Sequence, residues 1–394
     1  MGGLAFIAAD TVMPVMVKSL GGPSWLISLM PTMLIFGIGW PSLFTAHYAE
    51  RLPRVKPFIL ATGFLQRMPY LVAALSLFFL IEKYPLIVLF FVALAPFVSG
   101  MITGLNFAAW MKLISRIIPE NRRSSSWAMR NVITSGIGIC AGGIILSVLK
   151  RSPGPAGYGI LHLISFGFCM LSYVLQAMLH EMPSPDQSHA ARYNLGENLR
   201  SLPALIKFDQ RFRNFLCMRM LTLGIYIMTP FLAIHALSIL EKGEDFLGHF
   251  VIAQMLGGIV GNIMAGFLGD RYGGKLPLVI ARIILLAVSL MAVVNTTEWG
   301  FMTIFFLFGL GFNSDHVGMS TMSIEISPTD RIVTYISLLY ATTAPSMLAV
   351  AAVSAVVREL TGQLAPAALL SATALALSLF FLRRIKEPRK QKAH

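Results

Sequence analysis

Asp10, Asn106, Tyr226, Asn313, Asp315 and His316 lie inside stretches of otherwise apolar sequence, and Arg67 and Arg219 lie inside two such stretches as well. Ionisable side chains in hydrocarbon are costly, so they mark substrate paths, ion sites or proton relays unless they serve packing alone. Asp10 and Asp315 are of a type that can hold a proton or a cation. His316 is of the type that titrates near neutral pH, and Asn106, Asn313 and Tyr226 can hydrogen-bond a solute. The competing reading of each is a hydrogen bond within a helix bundle that orders the packing. At 100° per residue Asp315 and His316 fall on adjoining helix faces, so both need not point the same way. Arg67 sits ten residues into its stretch, about 15 Å deep at 1.5 Å per residue. It reads as a salt bridge within its own bundle, with Asp10 as one partner, or as a substrate contact. Arg219 is seven residues into its stretch, near enough to the end to snorkel to the interface.

Other candidates carry less. His162 and His235 read as hydrogen-bonded helix histidines, and the 22 methionines as adaptable packing. Cys140, Cys169 and Cys217 are scattered through apolar runs, without disulfide or metal-ligand spacing. No H-E-x-x-H, G-x-S-x-G or P-loop pattern occurs, so neither an enzyme nor a nucleotide-driven pump is expected, and no cofactor.

The elements that must position these residues follow from composition. Of 394 residues, 56% are hydrophobic and 12% charged, with mean hydropathy +0.72; soluble domains carry about 25% charge. Several apolar runs reach the ~20 residues that cross a bilayer, and the ~10-residue alternating segments of a β-barrel are missing. The chain reads as an all-α polytopic membrane protein with twelve spans. The first six are roughly 3–20, 24–47, 57–81, 84–111, 125–149 and 157–180. The second six are roughly 212–240, 247–268, 276–294, 299–326, 333–359 and 364–383. Residues 1–180 and 212–384 form two six-span units, 181–211 a polar cytosolic linker, and 385–394 a basic tail. The end of the linker, 199–212, reads equally as an interfacial amphipathic helix or as a solvated connection.

Assigning 23 of the 31 Lys and Arg residues to the linker-side loops and tail, against six on the other side, puts both termini in the cytosol. The net charge of +13 then orients the protein and attracts anionic lipid headgroups, with no call for nucleic acid.

The two units repeat one another. The turn Gly266-Phe-Leu-Gly-Asp270-Arg271-Tyr-Gly273-Gly274-Lys275 has a weaker copy 220 residues earlier, in which Glu50, Arg51, Arg54 and Lys56 persist. Pro119-Glu-Asn-Arg122 and Pro328-Thr-Asp-Arg331 recur at an offset of 209, and Gly37 pairs with Gly257. Pro14 in span 1 matches Pro230 in span 7, offset 216, which pairs Asp10 with Tyr226; the 209 offset pairs Asn106 with Asp315. Two parallel six-span repeats account for all of this. On the same alignment span 1 begins about four residues short of its counterpart, as if its first turn lay upstream of Met1.

These paired motifs resemble the major facilitator superfamily, whose signature G-x-x-x-D-R-x-G-R-K lies in the loops after helices 2 and 8. Gly266, Asp270, Arg271, Gly273 and Lys275 fit it closely; the first copy departs at Ala46, Glu50 and Pro53. The resemblance implies two six-helix bundles, a central cavity lined by helices 1, 4, 7 and 10, and a cytosolic latch. In that latch Glu50 would reach the start of span 11 near Thr334, and Asp270 the start of span 5 near Ser124–Ser126. Span 5 has Gly138-Ile-Cys-Ala-Gly142-Gly143 without the proline of the family's drug–proton antiporters, which argues against that activity. The implied function is a secondary transporter of a small solute by alternating access, proton-coupled through Asp10 or Asp315 as a sub-hypothesis. A transporter-like sensor or lipid-handling protein is the alternative. The expected setting is the plasma (bacterial inner) membrane, as a monomer; substrate and direction are open.

Overall fold

The computed structural model describes residues 2–52, 54–117, 123–181, 207, 209–327 and 332–385. Side chains are described at all of these but 2, 40, 42–51, 108, 111–112, 114–117, 123–129, 332–334, 336–337 and 340–341. Every described element is helical. Span 1 combines the 3-10 turn Gly2–Ile7 with helix Val12–Ser19, and spans 2 to 6 are Ser24–Arg51, Lys56–Phe79, Pro85–Ile117, Arg123–Arg151 and Pro155–Ala177. Span 7 is Gln210–Thr222, the 3-10 turn Leu223–Ile227 and Thr229–Leu240. Spans 8 to 12 are Leu247–Tyr272, Lys275–Val294, Glu298–Ile326, Ile332–Thr361 and Ala365–Arg384. Among the described residues, nine helical stretches, spans 3 to 9, 11 and 12, are long and apolar enough to cross a membrane. Spans 1, 2 and 10 fall outside that group. One is interrupted, one is apolar chiefly over Ser24–Gly39, and one carries Asn313-Ser314-Asp315-His316.

The repeat is visible in the packing. Span 2 crosses span 4, and span 8 crosses span 10. At the first crossing a Cβ on Gly37 would meet the backbone of Phe97 and Met101; at the second, a Cβ on Gly257 would meet that of Phe306 and Leu310. Gly100 and Gly309 close the same crossings from the other side, against Leu34 and Gln254. Small residues permit this backbone approach where hydrocarbon gives helices no hydrophobic reason to associate. The halves meet along spans 2 and 11 and along spans 5 and 8. In the second contact Gly142 and Gly248 face one another too closely for a side chain on either. The glycine-rich stretch of span 5 is therefore half of the seam between bundles.

Spans 1 and 7 break at matching places, and the prolines explain it. Pro14 has no N–H for the carbonyl of Asp10, four residues back, and Pro230 none for that of Tyr226. Neighbouring carbonyls of the irregular stretch in span 7 find hydroxyls. Thr229 donates to Ile225 at 2.8 Å, Ser354 of span 11 to Ile227 at 2.7 Å, and Ser371 of span 12 to Gly224 at 2.8 Å. Irregular backbone at membrane depth survives where protein groups satisfy it.

Burial is unequal at the two ends. At the end away from the linker one apolar cluster joins both halves, running through Val12, Met16 and Leu89 to Phe231, Phe250 and Phe305. At the linker end the described residues form two clusters, one per half: Val55, Ile59, Ala109 and Leu113, and Phe212, Phe215, Met322 and Tyr335. The linker-end loops are pinned within each half. The Glu181 carboxylate, just past span 6, accepts from the backbone N–H groups of Val55 at 3.0 Å and Lys56 at 2.8 Å. In the second half the Glu325 carboxylate accepts from Gly274 N–H at 3.0 Å, and Lys275 Nζ donates to the Ile385 carbonyl at 2.6 Å. Gly273 ends span 8 with φ +89°, a conformation natural to glycine alone. Arg271 lies 5.4 Å from the Tyr272 ring. A Cβ on Gly266 would meet open space, so that glycine makes no close helix approach here. Arg54 is exposed and Lys56 half-buried. The Pro-x-x-Arg turns, most of the linker and the tail lie outside the described residues. The side chains of Glu50, Arg51 and the proposed latch partners of Glu50 and Asp270 are likewise not described.

Candidate functional site

Two polar clusters sit where the broken spans face the opposite elements. In the first, Gln254 of span 8 donates from Nε2 to Asp10 Oδ2 at 2.7 Å, and the Thr11 hydroxyl donates to Gln254 Oε1 at 3.0 Å. Thr11 also approaches Asp10 Oδ1 at 3.5 Å. Thr11 and Gln254 are buried, Asp10 half-buried. This pair of bonds ties span 1 of one half to span 8 of the other, at the residue that Pro14 excludes from regular helix.

The second cluster is ionic. Asp315 of span 10 accepts from Arg282 of span 9 at 2.5 Å and from Arg219 of span 7 at 3.4 Å. Arg282 is wholly buried, and its remaining groups are occupied: Nε donates to Ser378 Oγ at 3.1 Å and a terminal nitrogen to Met218 Sδ at 3.2 Å. Ser378 in turn donates to the Met218 carbonyl at 3.0 Å and meets Thr222 Oγ1 at 3.0 Å. Such a charge is tolerable only because each of its polar groups has a partner. Arg219 keeps 23% of its side chain exposed, and its partner is Asp315.

The other sequence candidates arrange themselves around these clusters. Tyr226 is buried, edge-on to Phe312 with ring centroids 6.3 Å apart, and within electrostatic reach of Arg219, Asp10 and Asp315. His316 is on an exposed face of span 10 and feels Asp315, Arg219 and Arg130. Asn313 faces span 8 instead: its Oδ1 accepts from Asn262 at 3.1 Å, and Asn262 Oδ1 faces Asn131 of span 5 at 3.5 Å. Asn106 is buried, and its Oδ1 has no hydrogen-bond partner among the described residues. Arg67 does not reach Asp10. It donates from Nε to the Cys169 carbonyl at 2.6 Å and from a terminal nitrogen to the Gly63 carbonyl, with its guanidinium 5.3 Å from the Tyr173 ring. Span 6 holds it within the first bundle. His162 bonds the Tyr158 carbonyl at 2.9 Å, as a helix histidine.

Four participants escape a reading of single spans. Arg282 lies seven residues into the run 276–294, yet a count that treats it as a loop charge hides it; Arg130, in span 5, is hidden likewise. Removing these two from the 23 linker-side charges leaves the asymmetry intact. Gln254 and Asn262 are neutral and gain meaning only from the neighbour they face.

Residues 214–394 match the model of the Major Facilitator Superfamily. No curated protein sequence matches the chain significantly. Among solved structures, a variant of the nucleoside transporter NupG superposes with TM-score 0.73 at 15% identity, covering 98% of each chain. A D-xylose-proton symporter gives 0.74 at 12% identity over 98% of this chain and 96% of its own. A variant of the Escherichia coli fucose:proton symporter FucP gives 0.59 at 16%, over 98% and 97%. At such identities the likeness is one of fold.

Proposed function

We propose that this chain, which belongs to the major facilitator superfamily by the match of its second half and carries that superfamily's fold throughout, is a secondary transporter of a small solute. Its several membrane-spanning helices make it a multi-pass membrane protein. The observation that carries the reading is a polar cluster that joins the halves, Asp10–Gln254, and an ionic cluster within the second half, Arg219–Asp315–Arg282, with Tyr226 in electrostatic reach of both and His316 beside the second. Buried polar groups on broken helices at a repeat interface suit a solute site around which the halves rock.

Among the described residues the halves share a buried apolar cluster only away from the linker end, and in this reading the linker end is the open one. One shared apolar cluster seals the far end, where the Tyr158 hydroxyl also donates to Glu244 of the other half at 2.8 Å, while the linker-end clusters belong to separate halves. With the basic loops placed inside, that opening faces the cytosol of a bacterial plasma membrane, and both termini lie there. The protein works as a monomer in a bilayer with anionic headgroups, without cofactor or nucleic acid. The division at 181–211 separates the rocking units, and the motif around Glu50 and Asp270 latches the linker end when it closes. Asp10 or Asp315 carries the proton if transport is proton-coupled.

Proteoliposomes loaded with a solute panel test the reading. At least one solute should exchange or accumulate in a protein-dependent, saturable way. A protein that binds lipid or solute yet moves none of the panel across the bilayer would instead be the sensor or lipid-handling protein of the alternative reading. Asp10→Asn and Asp315→Asn that both leave pH-dependent uptake unchanged would remove the proton-coupling element alone.

A further inference from the structure

We infer that the solute carries a negative group, a carboxylate or a phosphate, and that Arg219 is the residue that receives it; this rests on the transporter reading above. Within the second cluster two guanidinium groups share one carboxylate. The sharing is unequal. Arg282 is sealed from solvent and each of its three nitrogens has a partner, at Asp315, Ser378 and Met218, so it is structural. Arg219 makes one hydrogen bond among the described residues, at the long distance of 3.4 Å, and holds its side chain 23% exposed. A guanidinium has five donors in a planar fork that matches carboxylate and phosphate oxygens two at a time. Most of that fork is unused, in surroundings where ionic contacts are screened less than in water.

The nearby acidic groups do not complete it. Asp10 contributes the other carboxylate of the region, and its oxygens are engaged by Gln254 and Thr11. Asp315 Oδ1 is committed to Arg282, which leaves Oδ2 to Arg219. The remaining polar neighbours, Tyr226, His316 and Arg130, add donors or positive charge. An incoming anion therefore meets a cation held only loosely by its present partner. Charge-assisted bidentate contacts are shorter and stronger than the bond it would replace. A neutral solute would leave this fork as it is. The solute's negative group takes the Arg219 fork, while Asp315 stays on Arg282.

The test uses the full-length protein in detergent and in nanodiscs, with thermal stabilisation and calorimetry as readouts. The probes are benzoate and glutarate as carboxylates, inorganic phosphate and phenyl phosphate as phosphates, and benzamide and glycerol as neutral controls. At about 10 mM, one anionic class should stabilise the wild type while the neutral probes do not, and which class it is identifies the group. Arg219→Gln should weaken that binding by tenfold or more, and Arg219→Lys, which keeps charge without the fork, by about threefold. Asp315→Asn should strengthen anion binding severalfold by releasing Arg219, a change of opposite sign that a merely structural role would not produce. No stabilisation by any anion, or equal affinity in wild type and Arg219→Gln, overturns the inference. An anion that binds through Arg219 but does not cross proteoliposomes sinks the transporter reading and keeps the site. A transported neutral solute indifferent to Arg219→Gln does the reverse.

Discussion

The two halves share one backbone plan and differ in what they bury. Offsets of 209 and 216 residues map Asp315 onto Asn106 and Arg219 onto Gly3, and the 219 that separates Lys56 from Lys275 maps Arg282 onto Gly63. The second half thus holds an ionic triad where the first has an amide and two glycines. The first half's own arginine, Arg67, is one turn beyond Gly63 and bonds that residue's carbonyl together with Cys169 of span 6. Across the seam, Asp10 and Gln254 map onto Tyr226 and Leu34, a pair that cannot repeat the Asp10–Gln254 hydrogen bond because leucine has no polar side-chain group. Duplication supplied the scaffold and the proline breaks. Divergence then put the ionic triad on one side only.

The largest effect should come from breaking the triad. Asp315→Leu strands Arg282 without a counter-ion and should destabilise the protein by about 3–5 kcal/mol, whereas the mapped Asn106→Leu should change stability by less than about 1 kcal/mol. Asn106 Oδ1 has no hydrogen-bond partner among the described residues, so its loss removes none there. Thermal unfolding in detergent compares the two; similar losses would dissolve the asymmetry. Adding Arg282→Met to Asp315→Leu should recover part of the stability, because the orphaned charge goes with it.

A smaller contrast separates the arginines. Arg282→Met leaves Asp315 with Arg219 still beside it, and should cost about 2–3 kcal/mol. Arg67→Met gives up two carbonyl bonds and a ring contact from a half-buried position, and should cost about 1–2 kcal/mol. Equal costs in chemical or thermal denaturation would mean that the partners of Arg282 count for nothing.

Much of this architecture is legible in the sequence, since lipid as solvent makes span length and apolarity decisive. The helices begin and end within a few residues of the apolar runs, apart from extensions into the polar loops of spans 2, 4 and 8. Gly37 and Gly257, paired by offset alone, occupy the same crossing in each half. Pro14 and Pro230 mark the breaks because a missing N–H acts on a known carbonyl. The site is less legible. Asp10, Tyr226 and Asp315 stand out as polar groups in apolar runs, but their partners are chosen by tertiary contact. Nothing near Gln254 in sequence points to Asp10, and Arg282 is hidden by its closeness to the charged turn. Arg67 misleads for the converse reason: its depth suggests an ionic partner, and two carbonyls of its own bundle satisfy it.

At the seam, Gln254→Leu makes the second half resemble the first at Leu34. Loss of the bonds to Asp10 and Thr11 should cost about 1–2 kcal/mol and loosen the far-end seal. Faster labelling of a cysteine placed at the buried Met16 would register this, and unchanged labelling would deny that the bond joins the halves. The smallest effect is expected at the linker-end loop. Lys275→Met removes one ammonium–carbonyl bond near the surface and should cost about 0.5–1 kcal/mol, less than Glu181→Gln, whose carboxylate serves two N–H groups. Unfolding curves of the two variants would rank them.

The central claim is that the halves rock about the polar site, and spin-label distances test it most directly. Labels at Arg54 and Tyr272 report the linker end, and labels at Tyr84 and Trp299 the far end; all four side chains are exposed. Adding a solute shown to cross proteoliposomes should shift population toward shorter linker-end and longer far-end distances. If both distances stay fixed while that solute is being transported, the rocking account is wrong.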